Sequence, residues 1–184
     1  DQANPTAFFE LDFLDRILAD GLVENQSYFE THGYYFGLKY PDSDDITVAQ
    51  CANIKKYVDR AFNKMFTAHN YDLVIDVDSF IDYYLINELF KNVDVVQTSV
   101  YFYLKDGMVF AGPVWDFDYF TFQPYYNTAL INTNAVWNDR IINDVNNHPI
   151  IKRRWNAHRA ELQSIADEID RQYATIKASA EYNA

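Results

Sequence analysis

The chain has 184 residues, 49% of them apolar, enough for one domain with a buried core and too many for a disordered segment. Its 15 Lys and Arg stand against 27 Asp and Glu, and the net charge of -12 repels a nucleic-acid backbone or an anionic membrane surface. No apolar run nears the ~18 residues of a membrane span, and the single Cys51 excludes an internal disulfide and a cysteine-based zinc site.

The first residue is Asp1, with no Met, basic region or apolar region behind it, so the expectation is a removed leader or a start inside a larger protein. Residues 7–13 alternate, with Phe9, Leu11 and Phe13 on one side and Glu10 and Asp12 on the other, which predicts a short strand. Residues 34–40 read as a second, aromatic strand stopped at Pro41. Thr47 and Gln50 form a capping box, behind which Cys51, Ile54, Val58, Ala61 and Met65 trace an amphipathic helix ending near His69 and Asn70.

A second helix follows, capped by Asp78 or Ser79, with Phe80, Ile81, Tyr84, Leu85 and Leu89 as its apolar face and its end at Lys91 and Asn92. Val100 to Leu104 and Met108 to Phe110 flank Asp106-Gly107, a strong hairpin signal. Residues 121–147, rich in Asn, Tyr and Thr, predict an irregular segment. Pro149 then suits a first helical turn. Behind it Ile151, Trp155, Leu162, Ile165, Ile169, Tyr173 and Ile176 predict one helical face to the chain end. No repeat or linker divides residues 1–184, which read as one domain of α+β class, mostly helical, with a short hairpin.

The hairpin carries the chemistry. Its second strand retraces its first, so the segment before it, with Asn92 and Asp94, and the segment after it, with Asp116-Phe117-Asp118, must meet. Carboxylates gathered at a sheet end repel unless a cation or proton relieves them. Oxygen-rich sites of this sort favour Mg²⁺ or Mn²⁺, with phosphate oxygens completing the shell. An Asp-bearing loop, two strands and an Asp-Phe-Asp turn is also the order of a protein-kinase catalytic segment. Position 118 is Asp where that segment has Gly, and Ser99 stands where it has its second metal-binding Asn.

Plainer readings stand beside these. Asp116-Phe117-Asp118 also suits a solvated turn, or the Asp-x-Asp of a metal-dependent glycosyltransferase. Asp94 alone suits a turn cap, and Asn92 suits a backbone hydrogen bond as well as a ligand role. Trp115 reads as core, Tyr101, Phe102 and Tyr103 as packing residues of a strand, and Lys152-Arg153-Arg154 as a solvated face. The four His show no metal spacing.

The run from Ile75 to Asp94, with its Asp-Ser-Phe-Ile-Asp-Tyr-Tyr-Leu-Ile-Asn core, and the run Gly112-Pro113-Val114-Trp115-Asp116-Phe117-Asp118 closely resemble the spore-coat CotH kinase family. Lys39 to Thr47, and Trp155 with the helix behind it, are similar to the same family, so the resemblance covers roughly residues 8 to 180. It implies a protein-kinase-like C-terminal lobe and an atypical bacterial kinase, a transferase of phosphate from Mg²⁺- or Mn²⁺-bound ATP to Ser or Thr of a protein target. It also implies a spore-coat or secreted, extracellular setting, sometimes cellulosome-linked. Asp94 matches the catalytic-loop Asp and Asp116 the metal-binding Asp, with Asn92 and Asp118 in support. The alternatives are a non-catalytic surface or carbohydrate-binding module on the same scaffold, and the glycosyltransferase.

The family's nucleotide-clasping lobe, with its covering loop and phosphate-binding Lys, is expected to lie largely before residue 1, and none of the five Gly forms a G-x-G run. The chain alone is therefore expected to be inactive and to hold the phosphates from one side only. Each lost charged contact costs ~2 to 3 kcal/mol, and two of them move a micromolar site to the millimolar range. Calorimetry with ATP and Mg²⁺ should accordingly give a millimolar Kd, and micromolar binding would contradict the assignment.

Overall fold

The computed structural model describes residues 4–67, 70–92, 98–117 and 136–182. Five antiparallel strands form one sheet in the order β2-β3-β1-β4-β5: β1 (Ala7–Asp12), β2 (Tyr28–Thr31), β3 (Tyr34–Tyr40), β4 (Val100–Lys105) and β5 (Met108–Ala111). Alternation along β1 puts Ala7, Phe9 and Leu11 on the core face, where Phe9 lies opposite Leu38 and Phe102, and Leu11 opposite Phe36 and Val100. The other face carries Phe8, Glu10 and Asp12, with Tyr101 and Tyr103 of β4. A short helix, α1 (Leu14–Ala19), covers part of it, and Ile17 and Leu22 fill the space above Gly37 where a side chain would stand.

The core face is closed by α2 (Val48–Thr67) and α3 (Val77–Phe90). The capping box at the start of α2 is present: Gln50 Oε1 accepts from the Thr47 amide at 2.9 Å, and Thr47 Oγ1 accepts from the Gln50 amide at 3.3 Å. Cys51, Ile54, Val58, Ala61 and Met65 are buried as their spacing requires; the helix is described to Thr67, and the expected end at His69 lies outside the described residues. Burial pushes the Cys51 thiol up to about 11, which leaves it unreactive. Phe62 meets Phe36 and Phe102 edge-on, with ring centres at 5.1 and 6.3 Å, so aromatic rings from α2, β3 and β4 interlock at the centre.

The cap of α3 is Asp76, not Asp78 or Ser79. Its carboxylate accepts from the Ser79 amide at 2.7 Å, so the helix begins two or three positions before the sequence reading placed it. The residues just before it lie against β5: Asp76 and Val109 exchange backbone bonds with Val109 and Val74, at 2.9 and 3.0 Å. Ser79 Oγ accepts from the Ala111 amide at 3.1 Å, which ties the start of α3 to the end of β5.

Two further expectations are corrected. The stretch read as irregular contains α4 (Val136–Ile142), whose Trp137 is wholly buried against Phe80 and Phe102. The final helix is two, α5 (His148–Gln163) and α6 (Ile165–Tyr182), separated at Ser164. There the hydroxyl and the amide of Ser164 both bond the Glu161 carbonyl, a local alternative to helix continuation. No residue of α5 or α6 is fully buried; of the stripe predicted for one continuous helix, Ile151 packs partly buried against the core, while Ile169, Tyr173 and Ile176 are exposed.

Tyr71, in a single 3-10 turn after α2, donates to Asp144 at 2.6 Å and accepts from Asn147 at 2.9 Å, which joins this turn to the α4–α5 connection. Burial, reinforced by the Asp144 carboxylate, pushes its phenol above the usual tyrosine range and keeps it a donor. Arg154 of α5, read as solvated, forks onto Asp82 and reaches Asp78 at 2.9 Å, pinning α5 to α3.

Replacing Asp76 by Ala removes the cap at the end of α3 that is fastened to the sheet. Urea unfolding should show a loss of about 1 kcal/mol with an unchanged slope.

Candidate functional site

The site is built where α3 ends and the hairpin returns. α3 stops at Lys91, which takes a left-handed conformation (φ 53°) and lets the Asn92 amide bond the Asn87 carbonyl at 3.0 Å. This turns Asn92 inward, and only 1% of it is exposed. Its side-chain amide donates to the carbonyls of Trp115 and Asp116, at 3.4 and 3.3 Å.

The returning segment 112–117 is laid along α3. It starts at Gly112, whose amide bonds the Tyr101 carbonyl at 2.8 Å beside the Ser79 end of the helix, and it reaches Asn92 at the other end. Five extended residues cover ~17 Å and thirteen helical ones ~20 Å, so the two paths match in length. Trp115 packs edge-on to Tyr101 with ring centres at 5.8 Å, and Phe117 edge-on to Phe90 at 5.3 Å. Trp115, expected in the core, is 53% exposed, because one of its faces has only solvent to meet.

Asp116 lies between these two ring contacts. It is exposed and has φ 57°, a left-handed conformation that costs a side-chain-bearing residue ~1 to 2 kcal/mol. The Asn92 bonds to the two carbonyls around it offset that cost. Asn92, a candidate for a catalytic role, is thus a clip on the backbone of the loop that presents Asp116.

Asp94 and Asp118 lie outside the described residues, and so does the geometry between Asp94 and Asp116. The flanks of the segment 93–97 are described, and both are fixed. At its start stands the Asn92 clip. At its end Thr98 donates to the Asp12 carboxylate and accepts from Arg16 Nη1 at 2.8 Å, while Arg16 and Asp12 form an ion pair at 3.7 Å. Ser99, the next residue, also has positive φ (53°), and the chain then enters β4.

Asp12, Arg16 and Thr98 were not singled out from the sequence. The only available signal was the pair Asp12 and Arg16 four residues apart, and nothing local connects them to a residue more than eighty positions away.

On the outer sheet face next to this site, Glu10 is nearly buried, with its carboxylate 2.9 Å from Lys39 Nζ. Burial, reinforced by Glu10, pushes the Tyr101 phenol up to about 12, so it stays neutral and bonds Glu10.

An exposed Asp on a held loop suits Mg²⁺, which keeps several waters and takes one or two carboxylates plus phosphate oxygens. Asp116 fits that donor set. Among the described residues no three His, Cys, Asp or Glu side chains gather into an all-protein metal cage. Also among them, no helix is long and apolar enough to cross a membrane.

Among known protein families, the model described as CotH kinase protein matches residues 24–184. No curated protein and no solved structure matches the chain.

The clip can be tested by itself. Asn92→Ala should lower stability by about 1 to 2 kcal/mol in urea unfolding, since two carbonyls lose a buried donor. Asn92→Asp should cost more, because a carboxylate cannot donate to them. An aspartate variant as stable as the parent would remove the clip from the account.

Proposed function

Because the chain belongs to the CotH kinase family, we propose that it carries the metal-binding and acceptor-binding part of a kinase that moves the γ-phosphoryl group of ATP to a Ser or Thr hydroxyl of a protein. The observation that carries this reading is the Asn92 clip. It joins the segment leading to Asp94 to the loop presenting Asp116, the two positions that match the family's catalytic-loop and metal-binding Asp.

In this proposal Asp116 holds a divalent cation, with Asp118 in support. The cation, when bound, neutralises the phosphate oxygens and holds them in line for transfer. Asp94 orients the acceptor hydroxyl and accepts its proton as the phosphorus–oxygen bond forms, and ADP is the leaving group. Asp116 sits at a left-handed, exposed position of the loop, and the rings of Trp115 and Phe117 fix the loop on both sides. Asp94 lies between two anchored flanks, Asn92 before it and Thr98 after it. Such restraint of both ends suits a group that must meet a hydroxyl within hydrogen-bond reach.

The acceptor is a protein by family, with a Ser or Thr hydroxyl as the receiving group. A secreted or spore-coat setting belongs to the same proposal.

The test is transfer of radiolabelled phosphate from ATP by the intact kinase. Asp116→Ala should abolish metal-dependent transfer while circular dichroism stays unchanged. Asp94→Ala should reduce turnover by about a hundredfold or more with little change in nucleotide affinity. Undiminished transfer by either variant would remove that residue from its role.

A further inference from the structure

We propose that the outward face of α2 is a docking surface for a short, extended, acidic segment of a partner protein, separate from the phosphotransfer site and independent of that reading. The chain as a whole is strongly acidic, with a net charge of -12, yet α2 carries four basic residues and a single acidic one. Lys55 is committed to Asp59, at 2.8 Å. Lys56, Arg60 and Lys64 have no carboxylate partner among the described residues and stand four positions apart on the side turned away from the sheet. They line a groove of about 620 Å³ between α2 and the turn at Asn25, whose polar walls also include Asn63, Thr67 and the Lys55–Asp59 pair, in which Lys55 neutralises the one carboxylate of the groove.

The spacing selects the occupant. Residues four apart on a helix rise ~6 Å, so three cations span ~12 Å. Alternate residues of an extended strand lie ~6.6 Å apart and point to one side. A peptide with acidic residues at every second position therefore presents three carboxylates in register with Lys56, Arg60 and Lys64, while Asn63 and Thr67 can meet polar groups between them.

The surroundings limit its length. Exposed Asp42, Asp44 and Asp45 precede α2 in the chain, and exposed Asp72 follows it. A long polyanion with a charge every ~1.7 Å would run past the row into a repulsive surface, whereas a six-residue segment stays within a few Debye lengths of ~8 Å and meets the local positive charge. A helix face with unpaired cations also keeps its bound segment away from Asp116, because α2 meets the hairpin at its turn. There Tyr57 lies within reach of Gly107, at the end opposite the site.

The experiment is an NMR titration of the ¹⁵N-labelled chain with the blocked peptide Glu-Ser-Glu-Ser-Glu-Ser at low ionic strength. Amide shifts are expected along the outward face of α2 and to weaken about tenfold at physiological salt. The charge-reversed variant K56E/R60E/K64E should lose them, and Lys152→Glu on α5 should keep them. Should the triple variant fail to fold, the single changes Lys56→Gln and Arg60→Gln, each with circular dichroism like the parent, should each weaken binding severalfold. Shifts that fall elsewhere, survive charge reversal, or do not occur at millimolar peptide overturn the proposal. So does a single-stranded DNA of equal charge, or an anionic vesicle, that perturbs the same residues more strongly than the peptide.

Discussion

Everything in this fold depends on the insertion of β1 between β3 and β4. A two-stranded hairpin is marginal in water, and β4–β5 becomes rigid only because β4 pairs along its length with β1, from Ala7 opposite Leu104 to Leu11 opposite Val100. The pairing places Phe9 beside Phe102 and Phe36, which gives α2 and α3 an aromatic surface to close over. It also sets Asp12 next to the entry of β4, where it receives Thr98. One strand thus makes the core and one anchor of the site.

The site itself follows from the ends of elements rather than from their middles. Lys91, Ser99 and Asp116 all have left-handed backbone; the first two lie where α3 and β4 adjoin the site, and Asp116 lies within the loop that follows β5. Non-glycine residues hold that conformation only when their surroundings over-determine it. Here the surroundings are the Asn92 clip, the Asp12–Thr98–Arg16 cluster and two edge-on ring pairs. Asp116 is exposed, yet its backbone has little freedom.

Local signals in the sequence were read well, and their reach was short. Asp106-Gly107 announced the hairpin because two consecutive positive φ values suit that pair, and both are present. Thr47 and Gln50 announced α2, and the retracing of the hairpin implied that the segments before and after it meet, as the Asn92 bond to the Asp116 carbonyl shows, while the expected meeting of Asp94 with Asp116 lies outside the described residues. What failed needed distant partners. α4 carries Trp137, Ile141 and Ile142 on a core face too short to show a helical period among Asn and Asp neighbours. β2 is four residues long, and its pairing with β3 was invisible without the turn at His32 and Gly33. The stripe from Ile151 to Ile176 had the right spacing, but Ser164 broke the helix. Trp115 was assigned to the core by its size, although only the packing of Tyr101 decides which of its faces is covered.

The position of β1 also bears on how the chain is made. β1 and its first partner, β3, leave the ribosome within a few tens of residues of each other, whereas β4 comes ninety-odd positions later. At roughly 5 to 20 residues per second, one edge of β1 waits several seconds, exposed and rich in Phe, before its second neighbour exists. An open apolar edge of that kind invites pairing between nascent chains. Glu10 and Asp12, on alternate positions of that same edge, put charge there from the start, and only the arrival of Tyr101 and Thr98 gives them their final partners. Residues that bond around the finished site therefore double as guards of an unfinished sheet.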